Sequence, residues 1–121
     1  MRKGDCFRGD LRFRGNPHYW LVLSDPDAAG KIALVNCTTG SAGPKAQVIK
    51  KIDCPALEYD SELAWSESVI VANGGIDLAL GEAQFEPKAG MDPRMVDNLL
   101  AEGILKELVP REVVKFLGLR Y

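Results

Sequence analysis

Two short apolar runs separated by a six-residue turn constrain this chain most. The first is His18-Tyr19-Trp20-Leu21-Val22-Leu23-Ser24 and the second is Lys31-Ile32-Ala33-Leu34-Val35-Asn36-Cys37. Runs this short, apolar and rich in β-branched or aromatic residues suit strands better than helices. Between them lies Asp25-Pro26-Asp27-Ala28-Ala29-Gly30. There proline sets φ, aspartate bonds nearby backbone and glycine ends the turn. The pair therefore predicts a β-hairpin.

The rest of the first two-thirds also reads as strands. Residues 5–8 form a short one, and residues 9–17, rich in Arg, Gly, Asn and Pro, a loop. Residues 40–44 are loop, and 47–52 and 68–72 are strands, the latter ended by Asn73-Gly74-Gly75. Residues 76–80 are expected to add one more strand, while 53–66 show no clear period. Near residue 92 the pattern changes. Asp92-Pro93 is an N-cap followed by proline at the first helical position. Met95, Val96, Leu99 and Leu100 form a helical stripe that Gly103 is expected to stop. A second helix is expected from Pro110 to Gly118. Strands first and helices last predict a mainly β protein, a small β-barrel with C-terminal α-helices at about 92–118.

The 121 residues make one domain, 1–121, large enough for a core without staples. With 46% apolar and 26% charged residues the composition is that of a globular protein. A net charge of -2 excludes a uniform basic field, so any nucleic-acid site must be a local patch. Cys6, Cys37 and Cys54 are odd in number and lack metal-ligand spacing, which points away from a disulfide framework and from zinc. A reducing cytoplasm fits them best. No apolar run follows the first residues, and none approaches the ~18 residues of a membrane span. Neither a signal peptide nor a membrane anchor is expected.

His18 is the only histidine. It stands at a loop-to-strand junction, where sites often form, and an ordinary imidazole suits proton transfer near neutral pH. The same position also suits a ring packed at a barrel end and bonded to backbone. A two-histidine acid–base pair within one protomer and a histidine-rich metal site are both excluded. Thr38 and Thr39 end the second hairpin strand, where hydroxyls can donate to phosphate or bond the turn locally. Arg2, Lys3, Arg8, Arg12 and Arg14 crowd the N-terminus. Arg12 and Arg14 precede His18 in a loop near Phe13, Tyr19 and Trp20, a pattern of phosphate-binding guanidinium groups and stacking rings. It equally describes a solvated loop beside core aromatics, and Trp20 suits a core. A Cys37–His18 nucleophile pair is conceivable, although a thiol inside an apolar strand usually behaves as a buried hydrophobe. The carboxylates form no metal motif or acid–base pair, and residues 53–67 are acidic.

An ordered set of segments resembles the PemK/MazF toxins. It runs Gly4-Asp5, a basic loop, Leu21-Val22-Leu23-Ser24 with Pro26 nearby, Val35-Asn36-Cys37-Thr38-Thr39, then Glu67-Ser68-Val69-Ile70. The family opens with a Gly-Asp strand and continues through an Arg-Pro-x-Val-Val-Leu-Ser-Pro strand to one ending in Thr. A later segment reads Asp-Ser-Val. The resemblance spans about residues 4–72. It implies an SH3-like barrel, usually a homodimer, and metal-independent, cofactor-free cleavage of single-stranded RNA through the 2′-hydroxyl. It also implies an antitoxin protein lying across the RNA site. The family's catalytic Thr falls on Thr38. Its catalytic Arg falls on His18, the following Pro on Tyr19, and the Ser-Pro step becomes Ser24-Asp25-Pro26. The resulting expectation is an endoribonuclease with His18 and Thr38 catalytic and Arg12, Arg14, Thr39 and Ser68 binding RNA. The altered Arg position leaves a second expectation, a non-catalytic SH3-like module that binds RNA or a protein partner.

Overall fold

A computed structural model describes residues 1–11, 17–38, 43–82 and 85–121. Six strands form one antiparallel sheet: β1 (Cys6–Gly9), β2 (His18–Val22), β3 (Lys31–Thr38), β4 (Ala46–Ile49), β5 (Ser61–Ala72) and β6 (Phe85–Lys88). Their spatial order is β4-β5-β3-β2-β1-β6. β4 and β6 are its two edges, so among the described residues the sheet is open. Three helices accompany it: α1 (Asn73–Ala79), α2 (Pro93–Leu105) and α3 (Arg111–Phe116). The mainly β architecture with C-terminal helices is as expected. No helix among the described residues is long and apolar enough to cross a membrane.

The predicted hairpin forms, pairing Tyr19 with Cys37 and Val22 with Leu34. Its turn is held by Asp27, whose Oδ1 accepts from the N–H groups of Ala29 and Lys31, both at 2.9 Å. Gly30 closes it at φ 75°, a conformation glycine adopts without steric cost. Alternation along these strands supplies two cores. Leu21, Leu23, Ala33, Val35 and Cys37 pack with Trp65, Val96, Leu100 and Val113 beneath α2 and α3. Trp20, Val22, Ile32 and Leu34 face the other way, with Phe7 and Ile76.

Several elements differ from expectation: β4 ends at Ile49 rather than near residue 52, β5 begins at Ser61 inside the stretch without a period, and β6 is an additional strand. Residues 76–80 do not form a strand; they belong mostly to α1, which starts directly after β5. Asn73 donates its N–H to Gly30 at 2.8 Å, and Ile76 is buried in the second core. Tertiary packing there overrides the helix-weakening Gly74-Gly75 pair. Gly103 does not stop α2, which continues to Leu105. A Cβ on Gly103 would lie 2.7 Å from Gln47 Oε1 and 2.9 Å from Val109 Cγ2, so this glycine permits close packing. Beyond the Lys106 C-cap, Glu107 terminates the helix in the left-handed region at φ 57°, while Leu108 donates its N–H to Gly103 at 2.8 Å. The start of α2 is as expected, with Asp92 accepting from the Arg94 N–H at 2.9 Å. Helix α3 follows Pro110 and is succeeded by Gly118 at φ 70°.

Where Gln47 enters the larger core its polar atoms are satisfied. Trp65 Nε1 donates to Gln47 Oε1 at 2.8 Å, and Gln47 Nε2 donates to Leu99 O at 2.9 Å. This relay ties β5 through β4 to α2. All three cysteines are free thiols and buried.

Candidate functional site

The hairpin end opposite the Asp27 turn carries His18 and Thr38. The β2–β3 register pairs Tyr19 with Cys37, and continuing it by one residue sets His18 opposite Thr38. β5 places Glu62 beside Thr38, and β4 places Val48 beside Glu62. Laterally paired residues share a face of the sheet. Imidazole, hydroxyl and carboxylate thus follow one another across three neighbouring strands, spaced by about 5 Å per strand. Both His18 and Thr38 are half-buried.

One residue inward, Asn36 lies between Trp20 and Ala64 in the register. Its Nδ2 donates to Glu67 Oε2 at 3.2 Å. Its Oδ1 is buried without a hydrogen-bond partner among the described residues. A buried carbonyl in that condition carries an unpaid desolvation cost of about 1–3 kcal/mol.

A cleft of about 270 Å³ opens at the same end of the sheet. His18 and Thr38 both line it, together with Arg8, Tyr19 and Cys37 from the strands. Leu57, Glu58, Tyr59 and Ser61 form the facing wall. Across the cleft the Tyr19 hydroxyl donates to Glu58 Oε1 at 3.2 Å. Burial, and then the Glu58 hydrogen bond, hold the Tyr19 phenol above its ordinary pKa. It is therefore a neutral donor at physiological pH. Ser61 Oγ donates to Tyr59 O at 2.9 Å and shapes that wall.

Of the expected site residues, His18 and Thr38 are brought together. Ser68 sits elsewhere on β5, near the irregularity between Leu34 and Asn36, and donates its hydroxyl to Trp65 O at 2.8 Å. It is not among the residues lining the cleft. Arg12, Arg14 and Thr39 lie outside the described residues. Cys37 lines the cleft but belongs to the larger core, and burial pushes its thiol well above the ordinary range. That disfavours the thiolate a Cys37–His18 nucleophile requires.

Sequence reasoning did not single out Glu58, Ser61, Glu62 or Asn36 as site residues. Glu62 and Asn36 follow from strand register once β5 is known to begin at Ser61. Glu58 comes from the stretch without a period, and no sequence signal marks it. Among the described residues, no group of three His, Cys, Asp or Glu side chains is placed to hold a metal ion. Alternation sets the Arg8, Tyr19 and Cys37 side chains on one face of the sheet and His18, Thr38 and Glu62 on the other, so the two sets meet only at the strand ends, where the cleft opens. No protein-family model and no curated protein matches this chain.

Proposed function

We propose that this chain is a metal-independent endoribonuclease that cleaves single-stranded RNA, built on an SH3-like barrel related to the PemK/MazF toxins. The supporting observation is that His18 and Thr38 stand opposite each other on adjacent strands at the mouth of one cleft. In the proposed reaction the 2′-hydroxyl oxygen attacks the adjacent phosphorus and its proton passes to His18. The P–O5′ bond breaks, leaving a 2′,3′-cyclic phosphate, and the departing 5′-oxygen takes a proton from water. Thr38 donates to a non-bridging oxygen as charge develops there. Arg8 lines the cleft, and Arg12 and Arg14 complete the electrostatic clamp, with Thr39 and Ser68 as outer contacts. In this reading the protein acts in the cytoplasm as a homodimer, and an antitoxin protein occludes the RNA groove.

The carboxylates around this end, Glu58, Glu62 and Glu67, favour a second reading. These carboxylates repel a polyanion near them, so the second reading is a non-catalytic module whose ligand is a basic protein segment, or an RNA held away from them by Arg12 and Arg14. Incubating the purified protein with a mixed single-stranded RNA pool in chelator separates the two. Cleavage to cyclic-phosphate ends, lost in His18→Ala and in Thr38→Ala, is the expected result. Undiminished cleavage in both variants removes the mechanism. Binding without turnover, weakening steeply with salt, selects the module with an RNA ligand.

A further inference from the structure

The three cysteines are far apart in sequence and converge behind the cleft. Cys6 on β1 and Cys54 in the segment between β4 and β5 are both buried, and their sulfurs lie 3.8 Å apart. They are separated by 48 positions along the chain. A disulfide bond is about 2.05 Å long, so the two sulfurs need to approach by about 1.8 Å. Small side-chain rotations supply such a movement. The two thiols are not equivalent. The Cys6 hydrogen bond lowers the Cys54 thiol pKa against the opposing effect of burial, and the backbone N–H groups of Ala56 and Leu57 add to the lowering. Cys6 is held protonated, first by its bond to Cys54 and then by burial. Cys37 lies in the same buried core, and burial holds its thiol protonated.

We infer that Cys6 and Cys54 form a reversible dithiol–disulfide site that hydroperoxides oxidise and small thiols reduce. This inference does not depend on the RNA reading. The Cys54 thiolate attacks one peroxide oxygen, breaking the O–O bond and leaving a sulfenic acid; the other oxygen departs as water or alcohol. The Cys6 sulfur then attacks the Cys54 sulfur and water leaves. Two thiols lose two protons and two electrons in all, and the peroxide is reduced by the same two electrons. The bond joins two walls of the cleft. Arg8 stands two residues beyond Cys6, and Leu57 and Glu58 follow Cys54 closely. Oxidation therefore fixes the Glu58 wall against β1.

Each cysteine falls on its own tryptic peptide: residues 4–8, 32–45 and 52–88. The test exposes the native, full-length protein to hydrogen peroxide, alkylates remaining thiols in denaturant, and digests without reductant. The expected product is peptide 4–8 linked to peptide 52–88, with 32–45 alkylated and the link reversed by dithiothreitol. Cys37→Ser should form the same link. Cys6→Ser should abolish it and leave Cys54 as a sulfenic acid that dimedone traps. Linkage through 32–45, or full alkylation of both 4–8 and 52–88 after prolonged exposure, overturns the inference.

Discussion

The two ends of the β2–β3 hairpin are built on opposite principles. At one end Asp27 closes the turn's own backbone, and the largely exposed turn is tied to the rest of the protein by Lys3 N–H donating to Asp25 and Asn73 N–H donating to Gly30 O. The other end is where β2 begins at His18 and β3 ends at Thr38. His18, Thr38 and Glu62 share a row there, and the Asn36 carbonyl beneath them stays unpaired among the described residues. An end that closes its own hydrogen bonds has little left to offer a ligand. An end that leaves polar groups half-buried at a cleft does.

Severing the shared middle should break the comparison most completely. Leu21 is fully buried beneath α2 and α3, so Leu21→Ala should cost about 2–5 kcal/mol. Denaturant unfolding would show it, and both ends should be lost together. A more selective break is His18→Ala. It should lower RNA cleavage by about 10²-fold or more while moving unfolding stability by no more than about 0.5 kcal/mol. A large loss of stability in that variant would instead make His18 a packing residue. At the closed end the effect should be inverted: Asp27→Ala should cost about 1–2 kcal/mol of stability, from two lost backbone hydrogen bonds, and leave cleavage unchanged.

The cleft end can also be titrated. In alkaline difference spectra against Tyr19→Phe, the Tyr19 phenolate should appear above its ordinary pKa of about 10, and Glu58→Gln should bring it part of the way back. Because the folded protein holds this proton more tightly than the unfolded chain, Tyr19 contributes stability below its ordinary pKa. That contribution is lost as pH rises through the raised value. The smallest effect lies away from both ends. Glu107 has a left-handed backbone at φ 57°, so Glu107→Gly should stabilise the protein by about 1 kcal/mol with no change at the cleft.

How much was legible in the sequence follows from where each signal resides. The hairpin and the start of α2 carry their own instructions, in Asp27 with Gly30 and in Asp92 with Pro93. Helix α1 does not. Its glycine pair reads as a stop, and it forms because Ile76 has a core to enter. Strand β6 was missed because its pairing partner is β1, far away in sequence, and its Pro87 argues against a strand. It is an edge strand, where proline is tolerated. At the site, His18 and Thr38 were legible as strand-end residues with useful chemistry. Glu58 was not, because it reaches Tyr19 from a stretch whose path is set by tertiary packing rather than by any period.

The indoles of Trp20 and Trp65 are both buried, but on opposite sides of the sheet. Each is thus a fluorophore sealed into a different half of the interior. Single-tryptophan variants would let the two halves be watched separately during melting. Coincident emission curves would mean that one layer of backbone shared between two cores transmits loss of order from either side to the other. Separated curves would identify which face loosens first, and hence whether the cleft can open while α2 stays docked.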